Sequence, residues 1–273
     1  MKEELTAEEL SAITRCIKTH YGYDFGEYAE ASLTRRILRF SQLSKVPVED
    51  FVFHITNEKP FFFWMLQSLT VNVTEMFRDP AFYNALQAQV LPVLSTYPII
   101  KIWIAGCSSG EEAFSMAIML HEAGLLERTK IYATDLNMAN IETAIKGIIP
   151  VSHMKEYTSN YIKAGGKADF SDYYTARYDN AILKRSLRKN ILFSQHDLVN
   201  DYVFNEFQLI CCRNVMIYFK QSLQNRVVHL FRQSLSPLGF LALGSKESLL
   251  FTDCEDAFEK VNKSEKIFRL KVL

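Results

Sequence analysis

Along the first 66 residues, apolar side chains recur at helical spacing. Leu10, Ile13 and Ile17 share one face, and Leu33, Ile37 and Phe40 share another. Tyr21-Gly22-Tyr23 and Gly26 punctuate that pattern as a turn. Ser68 to Arg78 is a polar connector ending in Asp79-Pro80. Asp before Pro predicts an N-cap followed by the first helical residue, with the helix running to about Val90.

From residue 100 the period changes. Ile100-Lys101-Ile102-Trp103-Ile104 reads as a short strand, a glycine loop follows, and Glu111 to Ala123 reads as a helix. Lys130 to Thr134, Ile191 to Ser194, Phe207 to Cys212 and Phe240 to Leu243 are further apolar runs of strand length. Helices are expected from about Met138 to Lys146 and from Gln221 to Leu235. Strands alternating with helices predict an α/β fold with a mostly parallel sheet and helices on both faces. Lys266 to Val272 is expected as an added edge strand. Residues 148–190 interrupt the alternation. The run Tyr173-Tyr174-Thr175-Ala176-Arg177-Tyr178, the turn residues Asp179-Asn180 and the segment Ala181 to Arg188 predict an inserted antiparallel hairpin. The expected organisation is therefore a helical domain over 1–66, a connector and linking helix over 67–90, and an α/β domain over 91–273 carrying a small β subdomain at 148–190.

The 31 basic and 31 acidic residues cancel, so no global charge steers the chain toward nucleic acid or an anionic membrane. The acidic start MKEELTAEEL lacks the features of a signal peptide, and Phe61 to Leu66 is too short to span a bilayer. Five scattered cysteines, at 16, 107, 211, 212 and 254, show no metal spacing and suit a reducing, cytoplasmic setting. No metal site is expected.

The glycine loop Gly106-Cys107-Ser108-Ser109-Gly110-Glu111-Glu112 carries the chemistry. It lacks both G-x-G-x-x-G and G-K-[ST], which argues against dinucleotides and excludes a P-loop. A helix start attracts anions, but Glu111 and Glu112 there would repel a pyrophosphate. S-adenosylmethionine has no phosphate and carries an amino group and a sulfonium, so an acidic loop suits it. Asp135, ending the next strand, is placed to take ribose hydroxyls, or simply to cap the following helix.

Three further segments carry a resemblance. Asn72-Val73-Thr74-Glu75-Met76-Phe77-Arg78-Asp79, the loop Ala105 to Ser115, and Cys212-Arg213-Asn214-Val215-Met216-Ile217-Tyr218-Phe219 resemble, in order and spacing, the motifs of the CheR-type chemotaxis protein-glutamate methyltransferases. The resemblance covers almost the whole chain and implies a class I methyltransferase-like fold. It implies S-adenosylmethionine as cofactor and S-adenosylhomocysteine as product, with Asn72, Thr74, Arg78, Gly106, Glu112, Asp135, Asp197, Leu198, Arg213 and Asn214 around the cofactor. Arg78 and Tyr218 are the implied catalytic residues. The chain departs from the family pattern at Met76, Asp197 and Lys220, and Gly244-Ser245-Lys246-Glu247-Ser248 replaces a G-H-S-E segment.

The implied reaction methylates glutamate side chains of chemoreceptor cytoplasmic helices. A glutamate of pKa about 4.3 is already nucleophilic at neutral pH, so no general base is required. The basic run Arg35-Arg36-x-x-Arg39 is the expected receptor-facing patch, or equally a solvated helix face. In some members of the family the inserted hairpin docks a receptor C-terminal tail peptide by adding a strand, and for residues 148–190 that role is left open. The protein is expected to be a cytoplasmic monomer that binds no nucleic acid and does not insert into membranes. The alternative is a non-catalytic S-adenosylmethionine-sensing module on the same fold.

Overall fold

A computed structural model describes residues 4–70, 73–250 and 252–272. Asn72, one of the expected cofactor residues, lies outside them. The chain divides into two units. One comprises residues 1–72 with Tyr218–Val227, and the other comprises Val73–Ile217 with Val228–Leu273.

The first unit is helical: α1 (Ala7–Tyr21), α2 (Glu30–Ser44), α3 (Phe51–Asn57) and α4 (Lys59–Leu69). Thr6 and Glu9 form a reciprocal capping box at the start of α1, and Gly22 closes it with a φ of 81°. Ile13, Ile17, Leu33, Ile37 and Phe40 are all buried, as their spacing predicts. Phe40 touches the rings of Phe51, Phe61 and Trp64 edge-on. A distant piece of chain completes this unit. The Ala29 N–H donates to the Tyr218 carbonyl, the Lys220 N–H donates to the Glu27 carbonyl, and Tyr28 bridges Phe219.

In the second unit, α5 (Pro80–Ala85) and α6 (Leu91–Leu94) flank a π-helical turn at Leu86–Val90. The helix thus extends beyond Val90. Pro92 brings no N–H and crowds the carbonyl one turn back, and a widened turn relieves that clash. Next come β1 (Ile100–Ala105), α7 (Glu111–Glu122), β2 (Thr129–Asp135), α8 (Met138–Lys146), β3 (Ile148–Pro150), α9 (Met154–Lys163), β4 (Tyr174–Arg177), β5 (Asn180–Leu183), α10 (Arg185–Arg188), β6 (Ile191–Gln195) and β7 (Phe207–Cys212). Helix α11 (Gln221–Ser234) starts in the first unit and ends in the second, before β8 (Leu235–Leu243), β9 (Phe258–Asn262) and β10 (Ile267–Leu270).

The main sheet runs β6-β2-β1-β7-β8-β10-β9. β6, β2, β1, β7 and β8 are parallel, with Ile102 opposite Ile131 and Leu209. Every residue of β1 except Lys101 is buried, the signature of a strand covered on both faces. The expected terminal edge strand is in fact interior. β10 pairs antiparallel with both β8 and β9, and β9 forms the edge. Its sequence, Phe-Glu-Lys-Val-Asn, is too polar to announce a strand.

The insertion forms its own antiparallel sheet, β3-β5-β4, with Tyr178-Asp179 turning the hairpin. Its tyrosines tie it down. Tyr161 and Tyr173 both donate their hydroxyls to Glu122 of α7, Tyr173 at 2.7 Å. Asn160 Nδ2 of α9 donates to the Met76 carbonyl at 3.2 Å, so the insertion braces the connector.

Candidate active site

The loop after β1 turns sharply because three of its residues adopt left-handed backbone: Gly106 (φ 78°), Ser108 (φ 50°) and Gly110 (φ 99°). At Gly106 a side chain is excluded outright, since a Cβ there would lie 2.3 Å from Val215 Cγ2. The Gly106 and Cys107 N–H groups both donate to the Thr134 carbonyl, binding the loop to the end of β2.

Asp135 stands beside it. Its Oδ2 accepts the Ser108 N–H at 2.9 Å, and its Oδ1 accepts the Asn137 N–H at 2.9 Å and Asn140 Nδ2 at 3.2 Å. Burial pushes this carboxyl above its usual range even though the three donors pull it down. Capping of α8 falls to Asn137, whose side chain accepts the Ala139 N–H. The Ser108 hydroxyl is buried with no hydrogen-bond partner among the described residues.

The paired glutamates diverge at once. Glu111 is buried, takes a hydrogen bond from Ser109 Oγ at 2.8 Å, and has its carboxyl pushed up by burial. Glu112 accepts Arg213 Nη1 at 3.0 Å. Arg213 is itself buried, lies 4.0 Å over the Phe82 ring, and reaches Asp79 Oδ2 through Nη2 at 2.7 Å. Asp79 is therefore an ion-pair partner with left-handed backbone (φ 56°), and it makes no side-chain cap bond. It holds the expected N-cap position, with Pro80 opening the helix as predicted, but its side chain is spent on Arg213 rather than on a cap.

Arg78 differs from Arg213. Half-buried, it donates to the Val73 carbonyl at 3.4 Å and forms no ion pair among the described residues. Thr74 beside it is half-buried. The neighbouring Phe77 N–H donates to Ser115 Oγ of α7 at 2.9 Å, which fixes the connector against the helix carrying Glu111 and Glu112.

A glycine cradle, a buried hydroxyl without a partner, a desolvated aspartate at the end of the second strand and no phosphate-binding cation on the loop fit a cationic nucleoside cofactor. The family model described as "CheR methyltransferase, SAM binding domain" matches residues 72–267. The chain belongs to the CheR methyltransferase family. It is an S-adenosylmethionine-dependent methyltransferase. The CheR-family relatives include Cher3 of Pseudomonas putida, 48% identical over 98% of both chains. The chemotaxis protein methyltransferase of Listeria monocytogenes is 32% identical over 87% of this chain and 88% of its own. Chemotaxis protein methyltransferase 1 of Vibrio cholerae is 32% identical over 72% and 71%.

The remaining CheR-motif residues fall into distinct surroundings. Asp197 organises its own turn, accepting the Val199 N–H and Asn200 Nδ2, and burial raises its carboxyl. Leu198 is half-buried. Asn214 adopts left-handed backbone (φ 61°). Tyr218 belongs to the helical unit, where the Arg36 guanidinium stacks 4.3 Å from its ring centroid. Arg36 also donates to the Leu69 carbonyl, and burial depresses its pKa. Arg35 and Arg39 are exposed, so the three arginines do not share one surface.

Sequence reasoning missed Glu247. Its buried carboxylate accepts four backbone N–H groups, those of Gly244, Asn214, Val215 and Met216. The available signal was a lone glutamate three residues after a glycine at the end of a buried strand. Among the described residues no helix is long and apolar enough to cross a membrane.

Proposed function

We propose that this CheR-family methyltransferase esterifies glutamate side chains on the cytoplasmic helices of chemoreceptors. The carrying observation is Arg78, a half-buried guanidinium that forms no ion pair among the described residues, on a connector anchored to the cofactor-loop helix. Its planar fork suits an incoming carboxylate. The chemotaxis names of the Listeria and Vibrio relatives support that substrate class.

Gly106, Glu112, Asp135, Asp197, Leu198, Arg213 and Asn214 would hold S-adenosylmethionine, with Asn72, Thr74 and Arg78 completing the set. When bound, the cofactor supplies a methyl group activated by a sulfonium. The chain's own work is alignment: Arg78 holds the carboxylate oxygen in line, and Tyr218 is the second proposed catalytic residue. Opposite charges vanish during transfer, so a water-poor site lined by buried groups such as Asp135 favours it. Since the substrate carboxylate is ionised at neutral pH, no residue has to remove a proton.

The same reading takes residues 1–66 as the receptor-facing helical domain, with the exposed Arg35 and Arg39 as its basic patch and Arg36 turned inward, 67–90 as the connector and linking helix, and 91–273 as the transfer domain. It takes the β subdomain at 148–190 as the docking place for a receptor tail peptide. The protein acts in the cytoplasm as a monomer. Incubation with methyl-labelled cofactor and receptor cytoplasmic fragments tests the proposal. Base-labile label released as methanol is the expected result. Tight cofactor binding without transfer to any receptor would favour a sensor instead.

A further inference from the structure

Glu247 has no place in the reaction above, yet its surroundings are built with care. It lies just beyond β8 and is 4% exposed. One carboxylate oxygen accepts the N–H groups of Gly244 at 2.6 Å and Asn214 at 3.0 Å. The other accepts Val215 at 2.8 Å and Met216 at 2.7 Å. The four donors come from the segments leaving two neighbouring parallel strands, β7 and β8. Three of them belong to consecutive residues, in a turn that starts with the left-handed Asn214.

The environment also explains the glycine. A Cβ at residue 244 would sit 2.7 Å from Glu247 Oε2 and 2.8 Å from the Asn214 nitrogen. Ser245 and Lys246, by contrast, are exposed, so the loss of the family histidine in this segment leaves the arrangement intact. The clamped turn has one direct consequence for the cofactor loop. Val215, held through its N–H by Glu247, presses its Cγ2 on the bare Cα of Gly106.

We propose that Glu247 is a positioning residue: its carboxylate fixes the turn after β7, and through Val215 sets the shape of the S-adenosylmethionine loop at Gly106. The inference rests on the cofactor reading of that loop and is independent of the receptor reading. A carboxylate fits the role because it offers four acceptor directions and no donor, whereas an amide would point N–H groups at two of the four backbone donors.

The test is Glu247→Gln in the full-length protein, with S-adenosylhomocysteine as probe. In the absence of ligand, amide exchange at Gly244, Asn214, Val215 and Met216 should quicken while the centres of β7 and β8 keep their protection. Calorimetry should show the Kd for S-adenosylhomocysteine raised roughly tenfold. Leu187→Ala serves as a control for simple destabilisation, because Leu187 is a buried residue of α10 that belongs to neither loop. It should lower the melting temperature without moving that Kd. Should Glu247→Gln not fold, Val215→Ala cuts the same path beyond the clamp and should weaken the probe with the clamped amides still protected. A Kd for either loop variant within about twofold of wild type, or a rise matched by Leu187→Ala, overturns the proposal. Absence of binding by the wild-type protein would instead overturn the cofactor reading itself.

Discussion

Two arginines close together in the second unit have opposite surroundings, and chemistry follows from that difference. Arg213 is buried between Glu112 and Asp79, while Arg78 holds only a carbonyl among the described residues. Removing Arg213 strands two carboxylates, so Arg213→Met should cost about 3–5 kcal/mol of stability, read from urea melts. Removing Arg78 breaks no ion pair among the described residues. Arg78→Ala should lower kcat roughly a hundredfold and leave the cofactor Kd within about threefold; equal losses in both would refute its role toward the substrate. Glu111 gives a pH prediction. Burial raises its folded pKa above the unfolded value. Its contribution is therefore fully present below pH about 4 and is lost as pH rises through the folded value. Glu111→Gln should melt higher than wild type at neutral pH, and the gap should close near pH 4. The glutamates and Asp135 were legible in sequence because helix starts and strand ends are chemically marked. The burial of Arg213 was not, since its partner Asp79 reads equally well as a cap before proline.

Helix α2 shows how a sequence cluster separates once the helix forms. Successive residues point about 100° apart, so Arg35 and Arg36 cannot share a face. Arg36 turns inward onto Tyr218 and the Leu69 carbonyl, while Arg35 and Arg39, four apart, stay in solvent. Arg35→Ala with Arg39→Ala should raise KM for receptor fragments at low salt, and the difference should fade at about 0.5 M salt, where screening is short-ranged. Arg36→Ala should lower kcat at every salt concentration, because it loosens an aromatic contact rather than a long-range attraction. Matching salt curves for the two would sink the distinction. Strands were legible where burial on both faces forces a continuous apolar run, as in β1 and β7. β9 escaped because an edge strand is apolar on one side at most. β8 starts earlier than its apolar run because Pro237, Leu238 (φ 61°) and Gly239 occupy an irregular stretch, where the pairing with β7 shifts register.

At the scale of the whole molecule, the chain does not respect the line between its two units. Tyr218–Val227 is claimed by the helical unit, while the residues on either side belong to the sheet. Phe219 and Leu223 are buried there, and the Tyr218 carbonyl is taken by Ala29. A protein begun at residue 73 would expose those side chains and release those backbone groups. It should be recovered mainly as aggregate, whereas simple beads-on-a-string domains would tolerate the cut.

The same discontinuity bears on inheritance. A genetic crossover near residue 72 that brought in N-terminal helices from elsewhere would meet a ten-residue strip written far downstream, and a mismatched strip would leave Tyr28 and Glu27 without their complements. Successful exchanges must carry both stretches of the gene, so the helices and their distant strip are expected to diversify as one hereditary unit.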